Sequence, residues 1–399
     1  MFYPVSDTLI GMHTVTTRLH AQAIPPVYHA YMSQAIELAK QGWGRATPNP
    51  MVGAIVLDKT GRFVAQGYHV AAGQPHAEAV ALQKAFELGG QTPAYTQGGT
   101  LIVNLEPCNH HGRTPPCTEA ILNAGIQKVL IGSLDPNPQV TGGGLQRLQQ
   151  AGVECQFGVM YPECLRLNEI FFHHSVTRTP FVTLKLGLTL DGRIATRGGQ
   201  SQWITGEMSR QHVHYLRSGY DAILTTAETV MTDNPRLTVR YPGVVRQPIR
   251  IVLDRQFRLD LRRYTLFNTK EAPVWVIGAK AHLEKHYESV ADALGIKLFP
   301  VSGGAHGLDL TSIFQQLGEI GISSLWVEAG GKLAGSLISK KLVNKYYLFY
   351  GSKIMNDPLA KTGFSGPLCL GLSQAPVVHV HQVHTLHQDT LVEAYPVSM

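Results

Sequence analysis

Two short stretches set chemically capable side chains close together. "HAEAVAL" (76–82) places His76 and Glu78 two positions apart at the start of an apolar run, and "EPCNHHGRTPPC" (106–117) adds Cys108 and Cys117. Taken singly, each has an ordinary structural explanation: a His-x-Glu at a helix start is usually a surface pair, and buried cysteines commonly fill cores. Taken together they offer a metal site. A catalytic zinc takes three protein ligands and keeps one position for water, and a neutral imidazole with two thiolates meets that demand. A strand delivering Cys108 after Pro107, and a helix beginning at Cys117, would put both sulfurs near positive dipole ends that favour thiolate. His76 is the third ligand in this arrangement. Glu78 can then reach the bound water without touching the metal and carry its proton to a leaving amine.

The elements around these residues alternate. "VYHAYMSQAIELAKQG" (27–42) reads as a helix stopped by Gly42, "MVGAIVLDKTGRFVAQGYH" (51–69) as a hairpin, and "HAEAVALQKAFELGG" as a helix ending in glycines. "TLIVNLEPC" is a buried strand running into a loop, and "PPCTEAILNAG" a helix opened by proline. "IQKVLIGSLDPNP", "GGGLQRLQQAG" and "VECQFGV" continue as strand, helix and strand. Strands alternating with helices imply a mixed or parallel α/β sheet covered on both faces. The pattern restarts at "RTPFVTLKLGLTLDGRIAT" (178–196), with further apolar strands at "DAILTT", "PIRIVLD", "APVWVIG" and "SSLWVEAGG", and late strands at "KYYLFYG" and "APVVHVHQV". The chain thus falls into three segments: an N-terminal extension over 1–26, a first domain over 27–173 and a second over 178–399. The extension lacks periodicity and ends in Pro25-Pro26, with Met12 and Met32 as alternative starts.

The spacing of the cysteines narrows the chemistry. His-x-Glu followed by Pro-Cys-x-x-Cys is the general pattern of zinc nucleobase deaminases, but here "NHHGRTPP" separates Cys108 from Cys117. "EPCNHHGRTPPC" and "TPNPMVGA" (47–54) resemble the bifunctional pyrimidine deaminase/reductase of riboflavin biosynthesis. The resemblance implies a cytidine-deaminase-like α/β/α domain with His76, Cys108 and Cys117 as ligands of one Zn2+, and with Glu78 as the proton shuttle. It also implies that Asn49 contacts the pyrimidine and that His110, His111 and Arg113 line the site or meet the ribose phosphate; loop packing is the alternative for the histidines. Asn104 stands where this family commonly has threonine and is expected to face the strand interior without consequence. Cys155 and Cys164 fall outside the motif and read as structural.

The second half carries no G-x-G-x-x-G fingerprint after its first strand. "EAGGKLAGSLI" (328–338), a strand followed by glycines opening a helix, is the shape that cradles a pyrophosphate on backbone amides, although such turns also arise for steric reasons alone. "LKLGLTLDGRIAT", "SQWITG", "LRSGYDAILTTAETVMTDNPRLTVR", "PIRIVLD" and "WVEAGGKLAGSLI" resemble, in order, the reductase domain of the same family, a dihydrofolate-reductase-like α/β domain. By that resemblance Gly187, Trp203, Thr229, Asp233 and the loop Gly330, Gly331, Lys332, Leu333, Ala334, Gly335 and Ser336 lie on the NADPH side. Ser201, Arg217, Leu237, Arg240 and Glu328 fall on the substrate side, where two guanidiniums suit a ribose 5-phosphate. Arg255 stands where many relatives have a small serine near the cofactor and is a candidate for the adenosine 2′-phosphate. After "YYLFYG" the chain reads "SKIMNDPLAKTGF" where the family has a "PxLLGG"-like segment, which puts the C-terminal edge of the cofactor site in question.

The bulk properties agree with a two-domain enzyme. The 399 residues exceed the size of a single core, and 44% hydrophobic with 16% charged residues describes a globular chain. The net charge of +6 suits anionic ligands, yet no run of lysines and arginines forms a nucleic-acid arm. Five cysteines, no secretory signal and no long apolar stretch point to a cytoplasmic protein without a membrane partner. The expected activity is deamination of 2,5-diamino-6-(5-phosphoribosylamino)pyrimidin-4-one, then NADPH-dependent reduction of its ribosyl to a ribityl chain, by a homo-oligomer, a dimer. The alternative is a deaminase of another nucleobase or nucleoside fused to an inactive reductase-like domain. A tRNA deaminase would want Cys-x-x-Cys and a basic stripe, and a structural zinc would want a fourth ligand.

Overall fold

The computed structural model describes residues 24–110, 115–137, 143–304, 307–366 and 371–397. Its chain divides into two compact units, with the break between Thr177 and Arg178. Most of the expected N-terminal extension lies outside the described residues, as do His111 and Arg113.

In the first unit five strands form a sheet in the order β2-β1-β3-β4-β5. They are β1 (Gly53–Leu57), β2 (Phe63–Tyr68), β3 (Thr100–Leu105), β4 (Lys128–Ser133) and β5 (Glu154–Phe157). β1 runs antiparallel to β2 and β3, and β3, β4 and β5 are parallel. Every residue of β1 and β3 is buried, because helices cover both faces. Period-2 alternation sends Ile55 and Leu57 towards Met32, Ala35 and Ile36 of helix α1 (Pro26–Ala39). Ala54 and Val56 pack the other way, with Ala77, Ala81 and Ala85 of α2 (Ala77–Leu88) and Ile121 of α3 (Cys117–Asn123). Helix α4 (Gly143–Gln150) adds Leu148 to that side, and α5 (Tyr161–Leu167) and α6 (Glu169–Thr177) end the unit. Gly53 cannot be replaced where α1 crosses the start of β1: a Cβ there would lie 2.1 Å from the Ala35 carbonyl oxygen.

The second unit is built on a nine-stranded sheet, β11-β10-β9-β8-β14-β6-β15-β18-β17. Its first strand in sequence, β6 (Phe181–Thr189), lies inside the sheet, flanked by the late strands β14 (Ser324–Val327) and β15 (Lys345–Gly351). β8 (Ala222–Thr226), β9 (Ile249–Leu253), β10 (Val274–Ala279) and β11 (Lys297–Val301) continue the parallel run. The hairpin of β17 (Val378–Leu386) and β18 (Asp389–Pro396) closes the other edge antiparallel. Two small ribbons stand aside: β7 (Arg193–Ala195) with β16 (Lys361–Thr362), and β12 (Gly303–Gly304) with β13 (Gly307–Leu308). On one face Leu184, Leu224 and Val327 pack with α10 (Leu310–Glu319) and α11 (Gly331–Ser339). On the other, Trp326 meets Tyr220 and Tyr347. Helices α7 (Glu207–Arg217), α8 (Ala227–Asp233) and α9 (Lys285–Leu294) complete the unit.

Candidate active sites

In the first unit three turns converge. His76 is the extended N-cap residue of α2, Cys108 follows the end of β3, and Cys117 opens α3 behind Pro116. His76 Nδ1 lies 3.2 Å from Cys117 Sγ and 3.5 Å from Cys108 Sγ, and the Cys117 N–H points at Cys108 Sγ from 3.4 Å. The three ligand atoms lie within 4.8 Å of one another, the one such cluster among the described residues. A tetrahedral zinc with Zn–N ~2.0 Å and Zn–S ~2.3 Å sets nitrogen and sulfur ~3.5 Å apart, so the trio fits that ion without rearrangement. The hydrogen bond between the two thiols, with His76 adding to it, brings Cys108 down to about 4, while Cys117 is driven above the ordinary thiol range. His76 itself is raised, chiefly by its bond to Cys108. Cys155 and Cys164 are remote from this cluster; Cys164 is buried beside Met32 and Val159.

Glu78, in the first turn of α2, is only 3% exposed, and burial pushes its carboxyl up to about 7. It stands beside the trio and outside the ligand set. Asn49 Nδ2 lies 3.1 Å from His69 Nε2, and His69 Nδ1 lies 3.1 Å from the Pro75 carbonyl oxygen. A carbonyl only accepts, so Nδ1 carries the proton and Nε2 accepts from Asn49. That leaves Asn49 Oδ1 as the end turned away from His69. His69 is buried, with its ring 5.4 Å from that of His76, and burial keeps it neutral by lowering its pKa. Glu106 ties the neighbouring loops together by accepting from the N–H groups of Asp135 and Leu145 at 3.1 and 3.0 Å. His110 is exposed. No local motif marked His69 or Asp135, since each is a lone residue at the end of a strand.

In the second unit a cavity of about 1380 Å³ opens at the C-terminal ends of β6, β8, β9 and β14. Glu328 sits on its floor, accepting from Arg217 Nε at 2.5 Å and Trp326 Nε1 at 2.6 Å, with Lys185 Nζ 3.5 Å from its other oxygen. Burial alone would raise this carboxyl, but Arg217 and Lys185 overcome it and hold the group well below the usual carboxylate range. Arg217 Nη1 also donates to the Thr238 carbonyl, and Arg240 Nη1 to Thr238 Oγ1, so one residue aims both guanidiniums. His214 is pushed down to about 4 by burial and then by Arg217 and Arg240. Ser201 Oγ donates to Asp233 Oδ1 at 3.1 Å. Gly187, Trp203, Thr229, Leu237 and Arg255 also line the cavity, with Gly330, Gly331, Lys332 and Leu333. Ala334, Gly335 and Ser336 do not. Ala334 is buried in the core, Gly335 packs on the backbone of Ser365, and Ser336 Oγ donates to the Lys332 carbonyl. Lys185 and His214 escaped the sequence reading.

The segment after β15 that departs from the family wording is a wall of this cavity, to which it contributes Ala360, Lys361, Thr362 and Ser365. Asp191 accepts from the N–H groups of Met355 and Asn356, and Arg197 donates to both oxygens of Asp357. The wall lies so close to α11 that a Cβ on Gly331 would meet the Thr362 carbonyl oxygen at 2.4 Å.

Comparison with known proteins respects the same division. Residues 26–133 match the cytidine and deoxycytidylate deaminase zinc-binding region, and residues 180–391 match the RibD C-terminal domain. The riboflavin biosynthesis protein RibD of Actinobacillus pleuropneumoniae is 39% identical over 368 residues, covering 92% of this chain and 95% of that protein. The chain belongs to the RibD family. The Escherichia coli RibD is 41% identical over 339 residues, covering 82% of this chain and 88% of that one. A Thermotoga maritima structure, a diaminohydroxyphosphoribosylaminopyrimidine deaminase/5-amino-6-(5-phosphoribosylamino)uracil reductase, aligns with a TM-score of 0.81 at 37% identity. It covers 92% of this chain and 98% of its own. The chain is therefore a riboflavin-biosynthesis enzyme with a deaminase and a reductase domain, a hydrolase and an oxidoreductase in one polypeptide. In the RibD family the first domain holds zinc and the second uses NADPH. The alternative of an unrelated deaminase with an inactive second half is not favoured, because the relatives are matched across both domains.

Proposed function

We propose that the first domain (27–173) hydrolyses the 2-amino group of 2,5-diamino-6-(5-phosphoribosylamino)pyrimidin-4-one and releases ammonia. The second (178–399) then reduces the ribosyl side chain of the product to ribityl. The observation that carries this reading is the His76–Cys108–Cys117 trio with the buried Glu78 beside it, in one chain with a cation-lined reductase cavity. Zinc, when bound by His76, Cys108 and Cys117, supplies a water acidified to about neutral pH as the nucleophile. Glu78, shielded from solvent, moves a proton from the nucleophile to the departing amine, and Asn49 orients the pyrimidine through Oδ1. NADPH, when bound, supplies the hydride. Gly330 and Gly331, at the N-terminus of α11, offer backbone N–H groups to its pyrophosphate. Arg217 and Arg240 hold the substrate's 5-phosphate, and Glu328 keeps Arg217 in place.

The same reading makes the enzyme a cytoplasmic homodimer with no nucleic-acid or membrane partner. No helix among the described residues is long and apolar enough to cross a membrane, and no run of lysines and arginines interrupts the sequence. The deciding assay incubates the full chain with the diamino substrate and NADPH, following ammonia and the loss of nicotinamide absorbance. Ammonia release before NADPH oxidation is expected; oxidation without ammonia would overturn the order of steps.

A further inference from the structure

The loop that brings Asn49 to the deaminase site has no regular secondary structure from Trp43 to Val52, so its backbone polar groups must find partners outside a ladder. At its end two buried asparagines supply them. Asn168 Oδ1 accepts from the Met51 N–H at 2.8 Å, and Asn168 Nδ2 donates to the Met51 carbonyl at 2.9 Å. Asn104 Nδ2 donates to the same carbonyl at 3.0 Å, and Asn104 Oδ1 accepts from the Gly53 N–H at 2.8 Å. Both lone pairs of the Met51 carbonyl are thereby engaged, along with the N–H groups of Met51 and Gly53. A carboxamide is suited to this, since it offers a donor and an acceptor from one rigid plane. The two asparagines are 0% and 3% exposed, so none of the four bonds competes with water.

The two residues come from different parts of the first unit. Asn104 lies on β3, two residues before Glu106 and four before Cys108, and Asn168 occupies the joint between α5 and α6. The bonds therefore link the strand that delivers a sulfur ligand, the last helices of the unit and the loop that carries Asn49. We propose that Asn104 and Asn168 are positioning residues of the deaminase: by clamping Met51 and Gly53 they hold Asn49 at a fixed place beside the His76–Cys108–Cys117 trio. The proposal rests on the reading of Asn49 as a pyrimidine contact. It gives Asn104 a task in this chain where threonine is the family's common residue. It also makes α5 and α6 part of the support of the deaminase site and more than a connector to the second unit.

A loosened loop must be re-ordered at each binding event, which weakens substrate binding while leaving zinc and Glu78 as they were. In the full chain, Asn168→Ala and Asn104→Val should each raise KM for the diamino substrate about tenfold, equivalent to ~1.4 kcal/mol. The kcat should stay within about threefold of wild type, as expected for lost uniform binding. Zinc content and NADPH oxidation on pre-deaminated substrate should be unchanged. Asn104→Thr, isosteric with valine but able to hydrogen-bond, should recover most of the KM and protects the test if the valine variant folds poorly. A lowered melting temperature with an unchanged KM in Asn168→Ala and Asn104→Val would overturn the proposal and leave the asparagines as fold residues. So would equal KM values for the threonine and valine variants. Asn49→Ala separates the two ideas. If it leaves KM untouched, the reading of Asn49 fails; if it raises KM and Asn168→Ala does not, the clamp fails and the reading of Asn49 stands.

Discussion

Replacing Glu328 by glutamine removes one charge from the floor of the reductase cavity and leaves two cations facing each other. Arg217 and Glu328 side chains are only 11% and 15% exposed, and Lys185 only 18%, so solvent does little to screen what remains. Removing one partner of a buried pair costs ~3–5 kcal/mol. The amide oxygen can still accept from Arg217 and Trp326, which argues for the lower figure, ~3 kcal/mol. For a unit of this size each kcal/mol moves the melting temperature by ~2–4 °C, so Glu328→Gln should lower the transition of the second unit by about 6–12 °C near pH 7. Acid should narrow the gap. The folded pKa of Glu328 is held below its ordinary value of 4.5, chiefly against burial by Arg217 and Lys185. Its charge therefore stabilises the fold fully above that value and loses the contribution as pH falls towards the folded pKa. Scanning calorimetry of wild type and variant at pH 7 and in acid gives both numbers, with the deamination rate as a control for the first unit. Equal melting temperatures at pH 7, or a gap that widens in acid, would refute the idea that these cations need the carboxylate.

Three further outcomes are expected. Cys117→Ser should lose zinc by metal analysis and deamination with it, and full metal occupancy would contradict the trio. Glu78→Gln should keep zinc yet lose ~10²–10⁴-fold in deamination, the range of general acid/base groups, while NADPH oxidation on pre-deaminated substrate survives. Arg240→Ala should raise KM for the phosphorylated pyrimidine about ten- to a hundredfold, the worth of one charge-assisted hydrogen bond, with little change for NADPH; the reverse pattern would exchange the substrate and cofactor sides.

How much of the fold and the sites could be read from the chain depended on whether chemistry is written locally. His76, Glu78, Cys108 and Cys117 announce themselves because the first two share a helix start and the last two one short motif, and the structure brings all four together. Asn104 does face the interior, as its place in a strand implies, yet its amide is engaged at both ends. Nothing in "TLIVNL" indicates that the loop leading into the neighbouring strand needs a side-chain partner at Met51. His69 and Lys185 were invisible for the same reason, being single residues whose partners lie elsewhere in the sequence. Along the glycine loop the resemblance supplied a continuous stretch, but helical rotation turns Ala334, Gly335 and Ser336 away from the cavity. β18 passed unnoticed because "DTLVEAYP" carries charge at a buried position, Asp389, and at a half-buried one, Glu393, which blurs its alternation.

The place of β6 has a consequence for how the protein is made. It is the first strand of its unit to leave the ribosome, yet its neighbours begin only at Ser324 and Lys345. The five strands of the first unit, by contrast, are complete before Phe181 is synthesised. During translation the deaminase can therefore close while "FVTLKLGLT", an apolar stretch from the sheet interior, waits unpaired for most of the remaining chain. Such long-range parallel pairing is slow and exposes sticky edges. A growing chain stalled before β14 should thus already bind zinc while presenting β6 to chaperones, and the second activity should mature after release.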